Sequence, residues 1–562
     1  MLLGLVLVQC CYAPVAARPA GRGGGIDLPY PRAAVPTGQA GPIFVISQAS
    51  ISSKADQATL GTLQGVIARY SPRIYTIKSA SPKLQPNSVD TDTTVFWLHD
   101  LEAHHGLTFD YSHLNDLASL ITLFSSNITG FVAYDQATGS TNAALTRCAA
   151  SDGVISAGTL TMVALLRSLG IPMVANLTGS TPAEEFARSK TKLSRRGMVS
   201  QPDDGSKSQC LSDYAVFARL PTIEHDPSKH GGKDGDGFLA VLDHFDKTKL
   251  SAAYGWTTDE HQFTAAVTKA GGVVHASDYA YNLALFSQLP PYKSTPSAEA
   301  SRSAARETEQ PQRRRSTAVH TVAFVMSDGD NLQLLQNDFM SFRHWSHPQR
   351  GSVPTSWSYS PAMSQLMPSM LAYVARTATA NDSLTTGPSG VGYAYPQLYT
   401  PTSRKIFAQT TNQLMAEARM SVVNVIGVTP SEQSVAAIAA QPEVDGIIYF
   451  TFGVADQGYA GLHGNVAYVN GKPVVGLRSC LWGDGKSGDK VGVEGLIRDL
   501  RALPKDPSSP QSYSIIVNEM GNGWDSIRNA SQILMEDGGF VRCAHVVVPR
   551  LLIRNIRLRQ FS

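Results

Sequence analysis

The sequence carries almost no net charge. Its 47 Lys and Arg residues stand against 45 Asp and Glu, leaving +2 over 562 residues, too little for a protein whose affinity comes from neutralising many phosphates. Nucleic acid is therefore not an expected partner. Charged residues are scarce, at 16% against 43% hydrophobic, with mean hydropathy -0.10, which excludes a chain held unfolded by its own charge. No apolar stretch approaches the ~18 residues of a spanning helix, so no membrane span is expected. Cysteine is rare, with 6 in the chain and no CxxC, which argues against thiol redox chemistry and structural zinc. No GxGxxG stands at a strand-to-helix turn, and GxSxG and HExxH are absent. The usual dinucleotide, α/β-hydrolase and zincin signatures are thereby removed. Gly485-Lys486-Ser487 resembles the end of a phosphate-binding loop, but Cys480 occupies the position of that loop's first glycine.

What is present points to a layered α/β protein of several domains. At roughly 100 to 200 residues per domain, the length predicts two to four. Gly 47 and Pro 32 supply many turns and long loops. Residues 2–8 form a short apolar run, followed by a small-residue stretch ending at Ala17, so residues 1–17 are expected to be a signal peptide. The protein is then expected to be secreted or to reside in the secretory or endolysosomal lumen. Cys148, Cys210, Cys480 and Cys543 remain after such a cleavage. The simplest oxidised pairing joins Cys148 to Cys210 and Cys480 to Cys543, with four buried thiols as the alternative. Sequons at Asn127, Asn176, Asn381 and Asn529 permit glycosylation in such a compartment.

Apolar runs and helical spacings alternate over residues 40–290. Residues 43–46, 74–76, 130–134 and 171–174 read as strands separated by helices, an α/β rhythm. Within them, residues 184–208 hold Lys190, Lys192, Arg195 and Arg196 and read as an exposed basic insertion. Residues 291–320 contain almost no large apolar side chain and read as a polar linker. Beyond it, residues 321–562 alternate again, with strands expected at 322–326, 356–359, 422–426, 447–452 and 514–517. Helices are expected to start near Pro368, Pro401, Ser431 and Trp524. Over about 240 residues this matches a (β/α) barrel of the TIM type, with an open α/β sandwich as the other possibility. No internal sequence repeat is visible.

Polar groups collect where the strand at 322–326 ends, in Ser327-Asp328-Gly329-Asp330-Asn331. If the strand persisted, Asp328 and Asp330 would share a face with carboxylates about 6 to 7 Å apart. Such a pair suits glycosidic acid/base chemistry. It could equally hold a divalent cation with Asn331, or form a turn that satisfies its own backbone. A second cluster is Gly390-Val391-Gly392-Tyr393-Ala394-Tyr395-Pro396. Its glycines allow a sharp turn, and Tyr393 and Tyr395 would offer two rings to a sugar face. Trp357, Trp482 and Trp524 lie near expected strand ends or loops, where each is individually a plausible core residue.

Those two clusters are the landmarks of a known family. Gly390 to Pro396 matches the motif that names the GxGYxYP family of glycoside hydrolases, and Ser327 to Asn331 resembles its second signature. Leu63-Gln64-Gly65, Tyr254-Gly255-Trp256, Ser277-Asp278 and Asn470-Gly471-Lys472-Pro473 before Leu481-Trp482 resemble further landmarks in the same order. The resemblance implies an N-terminal α/β region, a C-terminal barrel-like domain and a carbohydrate substrate. Asp328 and Asp330 are then the leading catalytic carboxylates, with Asp456 and Glu519 as further candidates. Asn331, Trp357, Tyr393, Tyr395 and Trp482 are expected to bind substrate. No resident cofactor is expected beyond a possible cation at Asp328 and Asp330. Two other readings stay open: a non-catalytic glycan-binding or surface-associated protein on the same fold, and a metal-dependent deacetylase or esterase drawing ligands from His344, His347 and His463.

Overall fold

The computed structural model describes residues 26–32, 41–230, 235–292, 318–427, 432–451, 462–483, 486–487 and 490–543. The expected signal peptide, nearly all of the expected linker and Asp456 lie outside the described residues. Among those residues no helix is long and apolar enough to cross a membrane.

The first half builds three small parallel sheets. Ile43–Ser47 (β1) and Ile74–Ile77 (β2) are buried throughout, and Phe109–Asp110 (β3) adds to the other edge, in the order β2-β1-β3. The helix Lys54–Ala68 makes the crossover, its amino end capped by the Ser53 side chain, which accepts from Asp56 N. The same arrangement returns in Gly130–Ala133 (β4), Val154–Ala157 (β5) and Met173–Asn176 (β6), ordered β5-β4-β6. Gly197–Ser200 (β7), Ser251–Gly255 (β8) and Gly272–His275 (β9) form the third sheet, and Thr222 bridges to Val199 on the free edge of β7. The first two sheets thus share a strand order without a recurring sequence, because connection rules constrain order and not side-chain identity.

Residues 184–208 correct the expectation of an exposed insertion. The helix Pro182–Ser189 opens with a capping box between Thr181 and Glu184 and buries Glu185 and Phe186, while β7 is buried at all four positions. The basic side chains outnumber the apolar ones locally and hide their periodicity. Several of them are engaged: Arg196 donates to Leu250 O (3.1 Å) and to Asp27 Oδ2 (2.9 Å).

The second half begins with His320–Met326 (β10), Thr355–Tyr359 (β11) and Asp382–Thr386 (β12). Val422–Gly427 (β13), Gly446–Thr451 (β14), Val466–Val469 (β15) and Lys472–Gly476 (β16) follow. Then come Ser479–Leu481 (β17), the short Lys486–Ser487 (β18) and Lys490–Val491 (β19), Tyr513–Asn518 (β20) and Phe540–Arg542 (β21). One sheet runs β12-β11-β10-β20-β17-β19-β18 with β21 on β10, and a second runs β13-β14-β16-β15.

Among the described residues, backbone pairing does not close these strands into the expected barrel. The ladder stops between β12 and β13, where hydroxyls replace it: Thr385 Oγ1 donates to Val422 O (2.9 Å) and Asn424 N donates to Thr386 Oγ1 (3.1 Å). Side chains thereby satisfy edge groups that a neighbouring strand would otherwise take. The two sheets meet again at the turn from β16 to β17, where Leu477 N donates to Tyr449 O and Arg478 N to Ile515 O. The result is a mixed α/β fold of largely parallel sheets.

Strand alternation decides what lies on each side. Ala323, Val325, Val422, Ile426, Ile448, Phe450, Val475, Ile515 and Val517 pack together in one cluster. The intervening Val322, Phe324, Val423, Val425 and Ile516 join another, which extends from Tyr75 and Trp97 through Tyr254 to Trp357 and Trp524. The two halves therefore share a core.

No disulfide links Cys148, Cys210, Cys480 and Cys543, which corrects the expected pairing. Cys148 is sealed in the core of the first two sheets, whereas Cys210 lies beside Tyr281. Burial pushes the Cys210 and Cys543 thiols up to about 12, so neither ionises readily to attack a disulfide.

Candidate active site

The apolar strand β10 ends at Met326, and the chain turns at once. Asp328 takes a left-handed φ of 67°, and Asn331 N donates to Asp328 O (3.1 Å). The strand does not persist through this segment, so the period-two argument for a shared face fails. A turn brings both carboxyl groups to one cavity instead. Ser327 Oγ donates to Asp328 Oδ2, Asn331 Nδ2 to Asp328 Oδ1 (3.1 Å) and Ser358 Oγ, from β11, to Asp330 Oδ1 (2.8 Å).

The GxGYxYP segment joins the two halves. Gly390 has φ +85°, open to glycine at little cost. A Cβ on Gly392 would meet Val274 O at 3.0 Å and the His275 ring at 3.2 Å. That close approach lets Tyr393 pair with Val274 of β9 through two backbone hydrogen bonds of 2.9 Å each. Tyr393 then reaches the turn, where its hydroxyl accepts from Asn331 Nδ2 (3.0 Å). Its ring lies against Trp256, with centroids 4.9 Å apart.

A cavity of about 160 Å³ opens where these groups meet. Its floor is apolar, from Val325, Ile426, Phe450, Leu477, Cys480 and Val517, the inward residues of both sheets. Asp328, Asp330 and Glu519 line it with Ser327, Ser358 and Asn424, and Trp256, Tyr393 and Trp482 supply aromatic wall. Glu260 enters from the first half. Polar groups thus stand at the carboxyl ends of parallel strands over a dry base.

Electrostatics separate the carboxyl groups. Asp328 has an edge on the cavity but is otherwise enclosed by protein. Loss of solvent, then the neighbouring Asp330 and, more weakly, Glu519 push it up to about 7. Burial also raises Asp330, against the opposing hydrogen bond from Ser358. The Tyr393 hydroxyl lies near enough to favour the charged form of Asp330, yet no hydrogen bond of good geometry reaches Asp330 Oδ2. The same desolvation holds the Tyr393 phenol well above its ordinary range.

Three of the four expected carboxylates, Asp328, Asp330 and Glu519, line the cavity, as do Tyr393 and Trp482. Asn331 is buried behind them and orients Asp328 and Tyr393. Two expected substrate contacts are corrected. Trp357 is wholly buried on the opposite side of β11 from Ser358, its Nε1 donating to Asp382 Oδ1 (2.8 Å). Tyr395 is 4% exposed and bonded to His261 Nδ1 (3.1 Å), so no two-ring platform forms. His344, His347 and His463 do not line the cavity, and His344 Nε2 is engaged with Met520 O (2.7 Å). Among the described residues no group of three or more His, Cys, Asp or Glu is placed to hold a metal ion.

Trp256, Glu260, Ser358 and Asn424 are site residues that sequence reasoning did not select. Asn424 had a usable signal, a lone amide inside Val422-Val423-Asn424-Val425-Ile426. Trp256 stood out only as part of a family landmark and Glu260 had no signal, since only the docking of β8 and β9 against the second half brings them near.

Comparison with known proteins agrees with this architecture. Residues 318–548 match the model described as "GxGYxYP putative glycoside hydrolase C-terminal domain", 42–126 match the first N-terminal domain of that family and 196–288 its third domain. A crystal structure described as a "putative hydrolase" from Bacteroides thetaiotaomicron superimposes with a TM-score of 0.78 at 19% identity, covering 95% of this chain and 99% of that one. No curated protein sequence matches. With its first, third and C-terminal domains matched in order along one chain, this protein belongs to the GxGYxYP family.

Proposed function

We propose that the protein is a glycoside hydrolase in which Asp328 is the general acid and Glu519 the second carboxylate. The observation that carries this reading is the carboxyl group of Asp328, pushed up to about 7 in an enclosed cavity beside Asp330 and Glu519. An acid with that affinity holds its proton near neutrality and can still release it. Asp328 gives the proton to the leaving glycosidic oxygen as the bond to the anomeric carbon breaks. Glu519 faces the oxocarbenium-like transition state and accepts the proton of the attacking water. Trp256, Tyr393 and Trp482 give the sugar apolar faces to lie against. The description of the family as glycoside hydrolases and of the structural neighbour as a hydrolase supports the hydrolase-like role, not these residue roles.

The test is a panel of polysaccharides and 4-nitrophenyl glycosides offered to the wild-type protein and to Asp328→Asn. Turnover by the wild type alone is expected. Sugar binding without turnover on any of them would sink the catalytic reading and leave a glycan-binding protein.

A further inference from the structure

Two polar atoms at the cavity are buried and unanswered. Asp330 is 5% exposed and Asn424 0%, and both line the cavity. Asp330 Oδ1 is held by Ser358, but Oδ2 accepts no hydrogen bond of good geometry, although the Tyr393 hydroxyl lies near; on Asn424, Nδ2 has no partner. Turning the amide does not remove the deficit. The single hydroxyl proton of Thr385 is shared between Val422 O and Asn424 Oδ1, so in either orientation one amide atom lacks a protein partner. Leaving such groups unpaired in the interior is unfavourable. Their natural complement is a ligand with hydroxyl groups, each able to donate and accept.

The charge around them narrows the ligand further. The charged side chains lining the cavity among the described residues are Asp328, Asp330, Glu519 and Glu260, with no Lys, Arg or His. Lys490 lies over the Trp482 ring instead, 3.9 Å from its centroid. A carboxylate or sulfate on the ligand would meet like charges in a poorly solvated space whose described lining offers no cation. The cavity, at about 160 Å³, is also smaller than the roughly 300 Å³ at which ligand pockets usually begin.

We propose that this cavity binds a single uncharged sugar unit whose hydroxyls are read by Asp330 and Asn424, and that it rejects uronic-acid sugars. The inference rests on the glycosidase reading for its substrate class but not for its contacts. It makes Asn424 a specificity residue and assigns Asp330 to hydroxyl binding.

The test measures binding apart from turnover, on the full chain. Glucose, galactose and mannose, with glucuronate, galacturonate and mannuronate as their charged counterparts, are titrated by calorimetry and by ligand-observed NMR. At least one neutral sugar should bind, its uronate should bind at least about tenfold more weakly, and Asn424→Leu and Asn424→Asp should each lose about tenfold while melting normally. If either variant fails to fold, the other, with the neutral-to-uronate ratio of the wild type, still decides. A uronate that binds as tightly as its neutral counterpart overturns the inference. So does a folded Asn424 variant with undiminished affinity, or a failure of all three neutral sugars to bind. Neutral binding without hydrolysis of the matching 4-nitrophenyl glycoside instead defeats the catalytic reading and leaves this one standing.

Discussion

Two buried carboxyl sites, one in each half of the molecule, are treated in opposite ways. In the first half Glu185 is wholly buried, yet Arg147 grips both its oxygens, Nη2 at 2.9 Å from Oε2, and Ser189 donates a further bond. That acid is paired and serves to lock the helix Pro182–Ser189 to the helix Thr141–Ala150. In the second half Asp328 and Asp330 are offered hydroxyl and amide donors but no cation. Burial alone therefore does not mark a reactive acid. What marks it is burial next to like charge, which stores a proton.

Substitutions can break that contrast. The largest effect is expected from Asp328→Asn, which keeps shape and hydrogen bonding but cannot give up a proton; kcat should fall by about 10²–10⁴, read from steady-state kinetics on the substrate found. Retained activity would make Asp328 a structural turn residue. Next, Arg147→Ala leaves Glu185 only the Ser189 hydrogen bond and the longer Arg188 contact (3.7 Å) and should cost about 3 kcal/mol of stability, measured by urea unfolding. Since the pair is remote from the cavity, activity per folded molecule should hold. A loss below 1 kcal/mol would show that Glu185 finds water or another partner.

The pH dependence sharpens the same contrast. Asp328 protonates near 7 when folded and near 4 when unfolded. Between those values the folded chain holds a proton that the unfolded chain has lost, so stability falls as pH rises through this window. Asp328→Asn should flatten that fall, by on the order of 1–3 kcal/mol, in melting curves recorded from pH 4 to 8. Asp330→Asn removes a neighbouring charge and should move the alkaline limb of any residual activity to lower pH. A limb that stays in place would mean Asp330 is uncharged when Asp328 titrates. The smallest effect is expected at Trp256→Ala, where loss of one ring should raise KM about fivefold, equivalent to ~1 kcal/mol, with kcat little changed.

Much of the second half was legible because its signals are local. The run Val322 to Met326 is apolar and stops at a polar pentapeptide, so the strand and its polar end could be placed together. Pro368 and Pro401 likewise start the helices Pro368–Thr377 and Pro401–Ala418, because a fixed φ and a missing N–H suit a first helical turn. The strand β12 was missed: Asp382-Ser383-Leu384-Thr385-Thr386 is too polar to read as buried, and its hydroxyls find partners on β11 and β13 as well as in the following Gly387.

The sequence by itself determined the alternating elements, the family and the polar segment that carries Asp328 and Asp330, since each depends on residues adjacent in the chain. Tertiary structure alone decided which of those residues form a site. It turned Trp357 and Tyr395 into the interior, delivered Trp256 and Glu260 from the first half, and left Asn424 without a full set of partners. The reason is that accessibility and proton affinity depend on what packs around a group. Around Asp328 the surroundings come from segments as far apart in sequence as Trp256 and Glu519.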